Sequence, residues 1–309
     1  MSGEPLQQRA PLPQLTVIVP FYGDPAPALT MVRSLTAQKF PQLEAVVIID
    51  DHSPNPFPVD TIPDPRVQVI RRERNGGFGA AVNSGLDVVR TPLALVLNSD
   101  VEICVDQILE LLEFLQGWHP VVASPTVMHP DGTQQWAGRR FPTLSHQVVE
   151  WLTPLARWRH RPFVHVAVGH DLKAAAARDV TVVDWVMGAV LLLPVAQVKE
   201  VGGFDDSFYM NCEEVDLQRR LRVMGVSSVV VPQVRVSHVG GGSTDADHRR
   251  QWLVNARFQY AKKWGHPRML RTCLQAATLV NFSVNVMRRL CGRPVEPVAV
   301  LRREMGLLA

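Results

Sequence analysis

Five short clusters in this chain carry groups able to hold anions, cations or protons: Asp50-Asp51, Gly76-Gly77-x-Gly79, Asn98-Ser99-Asp100, Glu213-Glu214 with Asp216, and His238 ahead of glycines 240–242 and Ser243. Asp50 and Asp51 close an apolar run, where carboxylates can accept hydrogen bonds from a base N–H and from ribose hydroxyls. With Ser53 and Pro54, the same string also describes a plain Asp turn. The glycine cluster precedes a helical stretch, so its backbone can approach a ligand and offer helix N-terminal N–H groups to an anion, or simply turn tightly. Asn98 and Asp100 offer a neutral carbonyl and one hard carboxylate. Mg2+ or Mn2+ takes such oxygens while keeping phosphate oxygens and waters as its other ligands.

Spacing places Glu214, Leu217 and Leu221 on one helix face and pairs Asp216 with Arg220 at i, i+4. Glu214 is therefore the carboxylate set toward apolar surroundings, where desolvation raises its pKa toward general-base duty. Asn211 with Glu214 equally fits an N-cap and its capping-box partner. His238 reads as a metal ligand or as a loop hinge.

The elements that must position these groups follow from periodicity. Four β-branched, nearly continuous apolar runs, 15–20, 43–50, 67–72 and 93–100, read as strands buried on both faces of a parallel sheet. Helical patterns at 27–39 and 79–89 lie among them, which gives a doubly wound α/β half. A third helix spans 106–116 with Ile108, Leu111, Leu112 and Leu115 in one stripe. Residues 118–181, rich in Pro, His, Arg and Trp, read as acceptor-side loops with a helix or two. A strand at 190–193, a helix at 211–224, a strand at 226–231 and a basic helical tail complete the chain.

At 309 residues and 46% hydrophobic content, the chain can bury a large core. Four widely spaced cysteines suggest neither disulfides nor a zinc site, and a reducing cytosol fits best. Residues 1–14 read as a disordered leader without a signal-peptide core, and no run is long enough to span a membrane. Twelve Lys and Arg but only two Glu follow His248, a local excess of +10 in a chain of net charge +3. The tail is thus a cationic surface suited to an anionic membrane or a lipid-linked diphosphate. Nucleic acid is not expected, because no aromatic-interleaved basic module accompanies the charge.

Taken in order, these strings resemble glycosyltransferase family 2, the inverting enzymes of GT-A fold, and most closely its rhamnosyltransferase-like bacterial branch, over residues 15–264. The resemblance implies that Pro20, Phe21, Asp50 and Asp51 hold the nucleoside and that Asn75, Gly77, Phe78, Asn83 and Gly85 line the donor. Asn98 stands in the first place of the D-x-D equivalent and Asp100 is its metal carboxylate. Gly188-Ala189 is the acceptor-side pair before the base helix. Glu213, Glu214 and Asp216 carry the E-[DE]-x-D-L-x-x-R motif with Glu214 as base, and His238 meets the metal or the diphosphate. The implied reaction is a single displacement in which Glu214 takes the acceptor proton and a divalent ion at Asp100 stabilises the leaving diphosphate.

The same resemblance implies dTDP-L-rhamnose as donor and a polyprenyl-linked or cell-wall glycan as acceptor, used on the inner face of the plasma membrane. It divides the chain into a GT-A domain at 15–264, with a nucleotide half at 15–117 and an acceptor half at 118–264, followed by a basic helical tail at 265–309. Two rival readings remain at this stage. One is a sugar-nucleotide-binding protein without turnover; the other, from Gly77-x-Gly79 with Asp100 downstream, is a nicotinamide-dependent oxidoreductase.

Overall fold

The computed structural model of this chain describes residues 11–240 and 246–309. Residues 1–10 of the expected leader and residues 241–243 of the glycine run therefore lie outside the described residues. Residues 11–14 form coil, with Leu12 packed against the core.

The first half follows the apolar runs closely: β1 (Leu15–Phe21), α1 (Ala26–Thr36), β2 (Leu43–Asp50), β3 (Val67–Arg71), α2 (Phe78–Val88) and β4 (Leu93–Leu97). After β5 (Val101–Glu102) and α3 (Val105–Phe114), the Pro- and His-rich stretch holds β6 (Val121–Met128), β7 (Gly138–Arg139), α4 (Leu144–Trp151), α5 (Pro162–Ala167) and α6 (Leu172–Ala176). Then come β8 (Thr181–Val183), β9 (Trp185–Val186), β10 (Val190–Pro194), α7 (Val195–Glu200), α8 (Glu213–Val223) and β11 (Ser227–His238). Three helices end the chain: α9 (Ala246–Trp264), α10 (Pro267–Leu290) and α11 (Pro297–Leu307).

One sheet runs β3-β2-β1-β4-β10-β6-β11-β5, with β8 added on β11. Parallel pairing joins β3 through β4 and again β6 with β11, while β10 runs antiparallel between β4 and β6. Alternation divides each strand between two cores. Val17, Val19, Leu95 and Leu97 point to the side covered by α1 and α3, and Ile18 and Val96 to the side covered by α2, α7 and α8. Helix α2 comes close to the sheet because Gly85 has no side chain: a Cβ there would lie 2.6 Å from Ile18 Cγ2.

Two strands differ from expectation. β6 was read as loop, because Ser124 and Pro125 interrupt its apolar pattern. Pro125 pairs with Val231 beside a register shift in β11, so its missing N–H falls where the ladder is already broken. β11 runs on to His238, which makes that histidine the end of a strand rather than part of a loop. The helices after α9 are packed rather than free. Trp151, Val254, Leu270, Leu274, Ala277 and Leu308 form a separate core that fixes α10 to α4.

Gly77 combines a φ of +84° with backbone contact: a Cβ there would lie 1.7 Å from the Tyr209 carbonyl oxygen. Gly117 has the same φ with nothing within 4 Å. Gly117→Ala should therefore cost only the left-handed backbone term, about 1–2 kcal/mol. Gly77→Ala should cost at least ~2 kcal/mol more, because the two backbones must separate. Denaturant unfolding of both variants measures the difference, and equal losses would contradict the contact.

Candidate active site

The carboxyl ends of β1, β2 and β4, the start of β10 and the end of β11 meet at one edge of the sheet. Open α/β sheets bind ligands in that crevice. Asp50 lies inside it but is sealed. Its oxygens accept from Ser53 N (2.8 Å), Phe57 N (3.1 Å) and Arg71 Nη1 (2.5 Å), and it is 0% exposed. It shapes the turn rather than presenting oxygens to a nucleoside. Phe21 is likewise internal, packed edge-on against Phe57 at 5.1 Å, while Pro20 is half-buried. The exposed group at this strand end is Tyr22, which the sequence reading passed over.

Asp51 accepts from Gly76 N (3.1 Å to each oxygen), Gly77 N (2.8 Å) and Arg72 Nη1 (2.5 Å). The glycine N–H groups expected to face an anion are turned onto this carboxylate instead. The dinucleotide-fingerprint reading loses its phosphate donors by the same contacts. Asn75 Oδ1 accepts from Gly77 N (3.1 Å) and from the Tyr209 hydroxyl (3.0 Å), which ties the loop to the segment before α8. Burial, and then the charges of Asp51 and Tyr22, raise the Tyr209 hydroxyl above its ordinary pKa. Asn83 faces the turn at Phe204. Its amide donates to Phe204 O (2.8 Å) and Asp206 Oδ1 (3.0 Å) and accepts from Phe204 N (2.8 Å), clamping α2 to that turn rather than lining a donor.

Helix α8 opens without the capping box. Asn211 (φ 71°) and Cys212 (φ 65°) are both left-handed and no side chain caps the helix, so Glu214 is released toward the crevice. Glu213, 4% exposed, lies beneath Gly79 and Phe204. Glu214 faces Gly188, where a Cβ would stand 3.9 Å from its Cδ and 3.5 Å from the Phe78 ring. Each glutamate keeps one buried oxygen, Oε2, with no hydrogen-bond partner. Burial pushes both carboxyls up, and the neighbouring charge of Glu214 drives Glu213 well above the usual range. Helix-start N–H groups and the Arg139 guanidinium pull Glu214 back. Ionisation of one carboxyl disfavours ionisation of its neighbour, so the buried Glu213 is the more readily protonated of the pair and the half-buried Glu214 is the group better placed to exchange a proton.

Asp216 forms the expected pair with Arg220 (2.8 Å) and also takes Lys263 Nζ (2.9 Å) and Trp264 Nε1 (2.7 Å). At 0% exposure it locks the end of α9 onto α8 and does not face a substrate.

On the other side of Gly188, Ala189 is buried and its carbonyl accepts from Asn98 N (2.9 Å), fixing the strand end that carries Asp100. His238 Nε2 lies 3.2 Å from Asp100 Oδ1 and 3.3 Å from Asn98 Nδ2. Gln135 sets the ring. Its amide nitrogen donates to the His238 carbonyl (2.5 Å), so its oxygen must accept from Nδ1 (2.8 Å). In the neutral imidazole, Nε2 then carries a lone pair toward a carboxylate, an arrangement relieved by a shared proton or a cation. Burial raises the Asp100 carboxyl, but the hydrogen bond and charge of His238 and the Gly240 N–H outweigh it and leave it below the usual range. Among the described residues no three His, Cys, Asp or Glu side chains converge as a metal cage. Asp100 and His238 thus fit a hard divalent ion that keeps most of its ligands from phosphate and water.

The glycosyl transferase family 2 model matches residues 16–169 of this chain. The N-acetylglucosaminyl-diphospho-decaprenol L-rhamnosyltransferase of Mycobacterium tuberculosis (strain ATCC 25618 / H37Rv) is 30% identical over 199 residues, 59% of this chain and 62% of that protein. A rhamnosyltransferase of Escherichia coli (strain K12) is 22% identical over 170 residues, 54% of this chain and 60% of that one. The matches thus span less than two thirds of either relative's length. A mannosyltransferase from Pyrobaculum calidifontis, solved with GDP-Man and Mn2+, superposes with a TM-score of 0.59 at 17% identity, over 97% of this chain and 81% of that one. The fold is the GT-A fold that the resemblance implied. The family match ends before α8, so the geometry around Glu214 stands on its own.

Arg139 supplies a sharp check on the carboxylate pair, and sequence reasoning missed it because it lies on β7, distant in the chain from α8. Arg139→Gln removes a cation that favours ionised Glu214, so the Glu214 titration should move to higher pH. Carboxyl 13C NMR of labelled glutamate measures it, and an unmoved titration would separate Arg139 from Glu214.

Proposed function

Because the chain belongs to glycosyl transferase family 2, we propose that it moves a sugar from a nucleoside diphosphate donor to an acceptor hydroxyl, with inversion at the anomeric carbon. The reading rests above all on Glu214, a half-buried carboxylate with an unpartnered oxygen opposite Gly188, whose missing side chain leaves the space between Glu214 and the Phe78 ring unfilled from that side. In the reaction Glu214 takes the acceptor's O–H proton as that oxygen bonds to the anomeric carbon, and the bond from that carbon to the diphosphate breaks. Glu213, kept protonated, adds no second charge to repel the attacking oxygen. Asp100 and His238 would hold a divalent ion, Mg2+ or Mn2+, whose chemistry is to offset the charge developing on the departing diphosphate. The exposed Tyr22 after β1 and Tyr209, bonded to Asn75, would border the nucleoside end.

The names of the two curated relatives favour rhamnose as the sugar moved, and one of them a diphosphate-linked lipid as acceptor; dTDP-L-rhamnose as donor and a cell-wall glycan as destination follow from the family resemblance. In this reading residues 15–117 hold the nucleotide, 118–264 the acceptor, and 265–309 meet the cytoplasmic face of a membrane. A donor screen read by mass spectrometry tests it. Glu214→Gln should lower transfer roughly 10²–10⁴-fold, the usual contribution of a positioned base. Glu213→Gln, which replaces an already neutral group, should keep transfer within about tenfold. Equal losses in the two variants would remove Glu214 from its role.

The membrane part of the reading draws on the polarity of α10. Thr278, Asn281 and Asn285 face inward, and Thr278 and Asn281 are bonded to α4 and the turn after it. Met269, Leu279, Val280, Met287 and Leu290 are exposed, and helical spacing puts them within one sector of about 100°. Leu270, Leu274 and Ala277 share the inward face at the start of the helix, so in its second half the apolar side chains lie outward and the polar ones inward. Arg268, Arg271, Arg288 and Arg289 stand at its two ends, and no described helix is long and apolar enough to cross a membrane. The face therefore suits a shallow, reversible seat on an anionic bilayer. Binding to phosphatidylglycerol vesicles should weaken with salt and fall at least tenfold in Leu279→Glu/Met287→Glu. Unchanged partition would refute the seat.

A further inference from the structure

A groove of about 890 Å³ lies between the segment before α8 and the last three helices. Phe208, Tyr209, Trp252, Phe258 and Leu307 give it an apolar lining. Lys262, Arg268 and Arg271 give it three cations, and no Asp or Glu side chain lines it. None of the three cations takes part in an ion pair among the described residues, although Arg271 stands 5.3 Å over the Phe258 ring. The groove contains neither Asp51, Asp100 nor Glu214, so it is separate from the crevice described above.

Its two walls connect it to both ends of the proposed reaction. One wall is the 207–210 segment. Tyr209 in that wall donates its hydroxyl to Asn75, and the Tyr209 carbonyl is the atom against which Gly77 packs; Glu213 and Glu214 follow a few residues later. The other wall is the first turns of α10, through Pro267, Arg268, Arg271 and Thr272; Met269 of the exposed apolar face belongs to the same turns but does not line the groove. An apolar, cationic channel between a lipid-facing helix and a donor loop matches one kind of molecule, an amphiphile whose anionic group lies between an apolar chain and its reacting end.

We propose that this groove binds the diphosphate stem of a lipid-linked acceptor, with Lys262, Arg268 and Arg271 on the phosphates and the aromatic lining on the first units of the chain. The assignment rests on the proposed transfer to a lipid-linked acceptor and adds to it the place where that acceptor is held. Three cations without an ion-pair partner among the described residues, and a lining with no Asp or Glu side chain, favour anions in the groove. The aromatic lining then distinguishes a lipid diphosphate from an inorganic one.

Calorimetric titration of the full chain in chelator, which suppresses metal-assisted diphosphate binding in the crevice, tests the groove with three probes: farnesyl diphosphate, inorganic diphosphate and farnesol. Farnesyl diphosphate should bind at least tenfold more tightly than either of the others. Lys262→Glu/Arg268→Glu should weaken it at least tenfold and leave farnesol binding and the unfolding midpoint unchanged, while Lys262→Arg/Arg268→Lys should restore it to within about threefold. Inorganic diphosphate binding as tightly as farnesyl diphosphate would overturn the proposal, as would affinity indifferent to the charge reversals. Sugar-nucleotide binding in the presence of Mn2+ reads the crevice separately. Its absence from the unaltered chain would count against the transferase reading alone.

Discussion

Two adjacent carboxyl groups cannot both be ionised away from water, and the opening turn of α8 is built on that constraint. Glu213 and Glu214 are consecutive, the first buried and the second half-buried, and each has a buried oxygen without a partner. Burying a lone carboxylate is expensive unless it is paired or keeps its proton. The turn resolves this by giving the two side chains different neighbours: Gly79 and Phe204 around Glu213, Gly188 and the charge of Arg139 around Glu214. One proton is therefore held at the site and the other can be exchanged. The left-handed backbone at Asn211 and Cys212 and the tight approach of Gly77 to Tyr209 are the local strains that fix the two glutamates in these surroundings.

The same criterion sorts the remaining acidic residues. Asp50, Asp51 and Asp216 are as buried as Glu213, yet each has at least three donors around it. A carboxylate so supplied is held rigidly with its lone pairs occupied, which suits a joint between loops. Asp100 is intermediate, half-exposed with His238 and Gly240 as partners, and keeps room for a further ligand. Motif reading gave all six carboxylates a place in the site. Burial together with donor count separates Asp50, Asp51 and Asp216, which build the crevice, from Asp100 and Glu214, which face into it, with Glu213 buried beneath.

How far the sequence could carry the fold depended on the range of the forces involved. β1, β2 and β4 were readable because their burial on both faces writes itself into consecutive residues, and α2 and α3 because their stripes repeat at helical spacing. β6 was not readable, since what makes Val121–Met128 a strand is pairing with β11 a hundred residues away and with the antiparallel β10. The site divided in the same way. Glu214 was found from its helix periodicity and its motif. Gln135 and Arg139, which orient His238 and set the charge near Glu214, have no local pattern at all. Phe21, Asn83 and Asp216 carry motif positions but take part in internal contacts that only tertiary packing defines.

The last three helices show how a polar core can organise an apolar outside. In water a helix gains most by burying its leucines and methionines, yet α10 turns Thr278, Asn281 and Asn285 inward. Its inward hydrogen bonds to Trp151 and Thr153 are specific in direction, so they fix the rotation of the helix about its axis more tightly than apolar contact alone would. That rotation then decides what the opposite face presents. Leu279, Val280, Met287 and Leu290 are left outward by the bonds on the other side, and Arg268 and Arg271 are directed to the groove beside Tyr209. The apolar face, the cationic groove and the donor loop are thereby held in one fixed relation by a few buried side-chain hydrogen bonds. The proposed lipid-linked acceptor would need such a relation, because a molecule confined to a bilayer approaches from only one direction.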